Sequence, residues 1–189
     1  MAFPLLTPLL RRLRAFHSET AGTVAVEAVI IFPVVIWAYL GLFVYFDGYR
    51  QASVTHKASN TLTDMLSRET ANITPTYVDN AKALFDAMAL QAQDTKIRIS
   101  VVRWKDSEGA FSVDWSDTAG SALLQPLTTE DVEFWDDKLP SVPDQERVIV
   151  VETWATYNPR FKIGMDPIEM KSFIFSRLRF APQLRYSAN

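Results

Sequence analysis

The sequence predicts an α+β protein: an N-terminal single transmembrane helix continuing into a helical stem, then a small antiparallel sheet of about four strands packed with helices. Three observations lead there. From Ala28 to Phe46 nineteen consecutive residues, AVIIFPVVIWAYLGLFVYF, carry no formal charge. Apolar residues then recur at helical spacing as far as Met88. Beyond Asp94 the period shortens to the two-residue alternation of strands. The organisation that follows is a basic leader at 1–22, a membrane helix at 23–46 and an exported α+β domain at 47–189, of 143 residues.

At about 1.5 Å per residue the segment Thr23–Phe46 makes a helix of roughly 36 Å, enough for a hydrocarbon core of about 30 Å with tilt. Trp37, Tyr39, Tyr45 and Tyr49 supply the amphipathic rings that favour a membrane interface. Pro33 removes a backbone donor inside the span and is expected to kink or weaken it. Arg11, Arg12 and Arg14 stand against Glu19 ahead of the run. This positive flank places the N-terminus in the cytoplasm and the C-terminal domain outside. A cleaved secretory signal is the competing reading. The run exceeds the apolar length of about 7–15 residues usual for a signal, and Asp47-Gly48-Tyr49 lacks the small pair a signal peptidase needs. An uncleaved single-pass anchor is preferred.

Past the membrane segment, Val54, Ala58, Leu62 and Met65 form one apolar stripe on a helix over Gly48–Arg68, so that span and stem read as one long helix. Thr74-Pro75 is an N-cap followed by proline at the first helical position. The stripe of this second helix is Val78, Ala81, Leu84, Phe85 and Met88. Ile97, Ile99 and Val101 alternate with Lys96, Arg98 and Ser100, and Phe111, Val113 and Trp115 alternate with Ser112 and Asp114. Lys105-Asp106-Ser107-Glu108-Gly109 joins the two as a hairpin turn. Two further strands are expected at Arg147–Tyr157 and Lys171–Phe180, and a four-stranded meander with helices on one face is the economical arrangement.

Composition excludes several functions. Zero cysteines rule out disulfides, a thiol nucleophile, iron–sulfur clusters and Cys-ligated zinc, and His17 and His56 alone make a His-rich metal site unlikely. A net charge of −3 offers no general attraction to nucleic acid. No Gly-x-Ser-x-Gly elbow or phosphate-cradling glycine loop is present, so no catalytic residue, cofactor or metal ligand is assigned and no enzyme is expected. Residues 106–146 hold eleven acids against Lys138 alone. A calcium site is conceivable there, but the ordered Asp-x-Asp-x-Asp-Gly loop is missing. A solvated face is preferred, with Thr128 or Thr129 capping a short helix whose first turn is acidic. Arg177 and Arg179 are the cations expected to meet this segment, within the chain or from a neighbouring subunit.

Glu27 is the residue an anchor alone does not require. An acid at the centre of a span costs about 2.5–3.5 kcal/mol, less near the interface, where the helix N-terminus stabilises it. Its context is more specific. Gly22-Thr23-Val24-Ala25-Val26-Glu27 precedes Ala28-Val29-Ile30-Ile31-Phe32-Pro33, which puts a glycine, four residues and a glutamate between a basic leader and an apolar helix. This resembles the prepilin-like class. Over about residues 18–50 it is similar to the N-terminal segment of the TadE-like family, pseudopilins of the tight adherence (Tad/Flp) pilus system. Arg179-Phe180-Ala181-Pro182 is also similar to the way TadE-like chains end.

The resemblance implies that a prepilin peptidase, a membrane aspartyl protease, cuts after Gly22 on the cytoplasmic side. Thr23 then begins a mature chain of 189 − 22 = 167 residues. Glu27, fifth in that chain, is implied to neutralise the amine of a neighbouring subunit. Ammonium and carboxylate each suffer desolvation in lipid, and pairing them favours a bundle of helices over separate charged ones. Gly22, without a Cβ, lets a protease approach and leaves the peptide readily extended. The implied partners are the inner membrane, other pilus subunits or pseudopilins and the peptidase. The sequence departs from the pattern at Ala28, where pilins of this system usually carry an aromatic residue. The expected function is that of a minor pseudopilin in pilus assembly or initiation. The alternative is an unprocessed, single-pass anchored periplasmic binding module of another envelope system.

Overall fold

The computed structural model describes residues 15, 21–90 and 92–188. Arg11, Arg12, Arg14, His17 and Glu19 of the basic leader lie outside the described residues. The chain divides into two compact units, Met1–Val44 and Tyr45–Asn189.

Helix α1 (Ala21–Ser67) is unbroken over 47 residues and passes through Pro33. Span and stem are thus one helix, as the spacing predicts. Proline removes a single hydrogen bond, which the neighbouring turns tolerate. Among the described residues α1 is the one helix long and apolar enough to cross a membrane. Helix α2 (Pro75–Ala89) starts where Thr74-Pro75 predicts, with the Thr74 side chain accepting from the Tyr77 N–H at 3.2 Å. It buries Val78, Ala81, Phe85 and Ala89, whereas Leu84 stays 40% exposed. The amide of buried Gln51 on α1 donates to the Ala89 carbonyl at 2.6 Å, satisfying an acceptor that a helix end leaves open.

Strands β1 (Gln93–Lys105), β2 (Ala110–Ala119), β3 (Arg147–Tyr157) and β4 (Ile168–Arg177) form one antiparallel sheet in the order β2-β1-β3-β4. The α+β class and four strands agree with the sequence; the meander does not. β2 turns back along one edge of β1, and residues 120–146 carry the chain to the other edge, where β3 pairs. The physical reason lies in the central strands. Val101-Val102 on β1 and Val148-Ile149-Val150-Val151 on β3 are buried without alternation, the mark of strands covered on both faces.

The two faces carry separate cores. On one, Ile97, Ile99, Val101, Ile149 and Val151 pack with Ala58, Leu62 and Leu66 of α1 and Phe85 of α2. On the other, Val102, Phe111, Val148 and Val150 pack with Leu127, Val132, Trp135, Leu139 and Val142. Helices on one face only, as expected from sequence, is therefore half of the arrangement. The acidic segment covers the second face through a short helix α3 (Thr129–Val132) and a 3-10 turn (Trp135–Asp137).

A bulge at Asp114 decides which residues face which core. Val101 pairs with Trp115 and Val102 with Val113, leaving Asp114 unopposed. An extra residue reverses the alternation. Phe111 and Val113 accordingly meet the second core while Trp115 packs on the first, rather than all three sharing a face. Asp114 itself takes Arg147 at 2.6 Å and Arg103 at 3.2 Å. Gly120, at φ +102°, ends β2 where a Cβ would come within 2.4 Å of the Thr95 carbonyl oxygen, so no other residue fits there.

The C-terminal tail closes the first core. Ile73 and Tyr186 form a parallel bridge, the Trp115 indole donates to the Leu184 carbonyl at 2.8 Å, and the Tyr186 hydroxyl donates to Asp117 at 2.7 Å. Burial, then the hydrogen bond to Asp117, pushes the Tyr186 phenol up to about 12. Burial, then the Glu69 charge, pushes Tyr77 up to about 12. Because the folded phenols hold their protons above the ordinary value of about 10, the stability they contribute is complete below pH ~10 and lost as pH rises towards ~12. In an alkaline titration followed by phenolate absorbance, Tyr77 and Tyr186 should ionise in this late window, together with loss of structure. Tyr77→Phe and Tyr186→Phe should each remove one, and a single phase near pH 10 in the parent protein would contradict the packing described.

Candidate functional site

The residues singled out at the start of the apolar run all lie on α1. Gly22, Thr23 and Glu27 are exposed, and a Cβ at Gly22 would meet nothing within 4 Å. Thr23 and Glu27 are four residues apart, so they share one helix face at one turn's separation. The Glu27 carboxylate has no ion-pair partner among the described residues. Gly22 and Thr23 are helical, within α1.

Around Glu27 the side chains are apolar and uncovered. Val26 is 61% exposed, Val29 72%, Phe32 63% and Trp37 64%. Each such side chain forgoes about 1.5–3 kcal/mol of burial while it faces water. A helix that is apolar all round requires hydrocarbon or other helices as its surroundings. The surface is chemically suited to packing and to one ionic contact at Glu27.

In the second unit the arginines pair within the chain. Arg177 meets Glu146 at 3.2 Å and Arg179 meets Asp64 at 3.2 Å. The acids of 106–146 divide into three kinds. Glu108, Asp114 and Glu146 are in ion pairs, and Asp106, Asp117 and Asp144 accept hydrogen bonds, as does Asp131. Asp131 accepts the Thr128 N–H at 2.8 Å and the Thr128 hydroxyl at 2.9 Å, so that Thr128 is the cap, and the backbone bond foremost holds the Asp131 carboxyl below its usual range. Glu130, Glu133, Asp136 and Asp137 face solvent while Val132 and Trp135 between them are buried. The segment is therefore a solvated acidic surface with an apolar underside. Among the described residues no group of three or more His, Asp or Glu side chains is placed to hold a metal ion.

Sequence reasoning missed the one deeply buried carboxylate among the described residues. Glu152 on β3 is 3% exposed and is paired with Arg98 of β1 and, at 3.3 Å, Lys171 of β4. Both cations lie over the Trp154 ring, 5.4 and 5.0 Å from its centroid. Read along a strand, Glu152 is one polar residue among seven apolar or small ones. Only the β1-β3-β4 register brings its partners together. The cluster ties three strands at mid-sheet.

The fold and the exposed helix define a class in physical terms: an α+β domain carried on an apolar N-terminal helix. Models of known protein families, curated proteins and solved structures include no match to the chain.

Removing one partner of a buried pair leaves the others uncompensated and costs about 3–5 kcal/mol; Lys171 is half exposed, which sets the expectation at the lower end, about 3 kcal/mol. Glu152→Ala should lower the unfolding free energy obtained from urea titration by that amount, read by tryptophan fluorescence. Glu152→Gln, which keeps a hydrogen-bond acceptor, should lose less. Equal stability of parent and Glu152→Ala would show that the cluster contributes nothing.

Proposed function

We propose that the chain is a minor pseudopilin, a structural component acting in the assembly or initiation of a Tad/Flp-type pilus. On this reading α1 anchors it in the bacterial inner membrane by a single pass, with the N-terminus cytoplasmic and the α+β domain periplasmic. A prepilin peptidase cuts after Gly22, and the Glu27 carboxylate meets the new Thr23 amine of a neighbouring subunit. The observation that carries the proposal is the exposed apolar face of α1 with a carboxylate, lacking an ionic partner among the described residues, one turn from Thr23. Such a carboxylate in lipid favours any neighbour that brings a cation to it. The TadE-like resemblance supplies the identity of that neighbour. The role is non-enzymatic, and the partners are other pilus subunits, the peptidase and the membrane.

A second reading is favoured by two particulars, Ala28 after the glutamate and the helical state of the Gly22–Thr23 peptide. It is an unprocessed anchored periplasmic binding module of another envelope system, with Glu27 interfacial. The N-terminus decides between them. Mass spectrometry of protein from cells containing the peptidase should find Thr23 as the first residue; a stable chain that keeps residues 1–22 rejects processing. Glu27→Ala should insert in the membrane as the parent does and sharply reduce piliation, whereas normal piliation removes the role given to the carboxylate.

A further inference from the structure

Immediately beyond the apolar run the second unit holds a groove that assembly through Glu27 does not use. Tyr45, Tyr49 and Ala52 of α1 form one wall and Met165, Ile168 and Met170 the other, around about 260 Å³. The run ends at Phe46. Tyr49 and Ala52 follow it by roughly 4.5 and 9 Å of helix rise. A groove walled by these turns stands at head-group depth whenever the run spans a bilayer.

The sheet's own polarity puts one end of the domain there. The Tyr157 hydroxyl donates to Asp47 at 3.0 Å, and its ring packs beside Gly48. Tyr157 pairs with Ile168, so the end of β3 and the start of β4 lie at the Asp47 end of the domain. Lys105 pairs with Ala110 at the opposite end of β1, roughly 40 Å away at about 3.3 Å per strand residue. The connection between β3 and β4 carries Arg160, Phe161 and Lys162 at its surface, with Phe161 43% and Ile168 45% exposed. Within the connection itself Asp166 stands beside two cations, and Glu169 at the start of β4 is engaged by Lys96 at 3.4 Å. Aromatic and apolar side chains flanked by cations suit a phospholipid interface.

We propose that the groove and the β3–β4 connection dock on the leaflet from which α1 emerges: acyl chains fill the groove, and Arg160 and Lys162 meet lipid phosphates. The domain then lies on the membrane until assembly lifts it away. This rests on the anchor reading of α1, and the test separates the two. The chain has no cysteine, so single-cysteine variants of the full-length protein carry one probe each. Met165→Cys, Ala38→Cys and Glu108→Cys are labelled with an environment-sensitive fluorophore and reconstituted into phosphatidylethanolamine–phosphatidylglycerol vesicles.

Spin-labelled lipid should quench the probes at 38 and 165 and leave that at 108 unquenched. Adding Arg160→Glu and Lys162→Glu should at least halve the quenching at 165 and leave 38 unchanged. Quenching at 38 without 165 overturns the docking while the anchor stands, and no quenching at either removes both. A blue-shifted, unquenched probe at 165 means that a second copy of the chain covers the groove, which also overturns the proposal. Ile168→Cys gives an independent reporter should position 165 not accept the label in a folded protein.

Discussion

The pairing of β1 with β3 is the contact on which the remaining architecture depends. It joins strands separated by residues 106–146, and closing a connection of that length is an entropic cost that local turns do not meet. What offsets it is burial on both faces at once. Ile97, Ile99, Val101, Ile149 and Val151 are turned one way and Val102, Val148 and Val150 the other. A strand pair apolar on both sides needs two covers. The helices provide one, and the segment 127–142 provides the other while its acids remain in water. The same pairing aligns Arg98 with Glu152 and fixes which end of the sheet stands at Asp47.

Local chemistry was legible in the sequence where a few adjacent residues settle it. The Thr74-Pro75 cap, the Lys105–Gly109 turn and the alternation at Ile97–Val101 each act within one or two turns of chain. Strand order was not legible, because nothing near Phe111 or Arg147 encodes whether β1 meets its second neighbour before or after β2. The unalternating Val148–Val151 run did carry a signal of a central strand. Similarly, the apolar stripe predicted for the stem found Ala58 and Leu62 but not the buried Thr55, Ser59, Thr63 and Ser67 beside them. These small hydroxyl residues satisfy themselves along the helix, as Ser59 does on the Thr55 carbonyl at 2.9 Å, or across to Thr153 at 2.7 Å. Burial of a hydroxyl with its partner in place carries little penalty, which hydropathy alone does not register.

The candidate site divides along the same line. Gly22, Thr23 and Glu27 were readable because their relation is one of spacing on a single helix, and the helix is present with those side chains at its surface. The groove was unreadable because its walls come from distant stretches of the sequence. The neighbouring contact of Asp47 with Tyr157 joins residues 110 positions apart. Asp114 shows a third case, in which one unopposed residue sends Trp115 to a different core from Val113.

Among the described residues β4 has one neighbour in the sheet, so its outer row of amides and carbonyls is paired by no described strand. An open edge of this kind is a template on which strands of other chains can pair. Pro167 precedes this strand, and Glu169, Lys171 and Arg177 stand exposed along it. Mixed charges and a proline are poor templates for another strand. The edge is thereby protected against fusing with the sheet of another molecule.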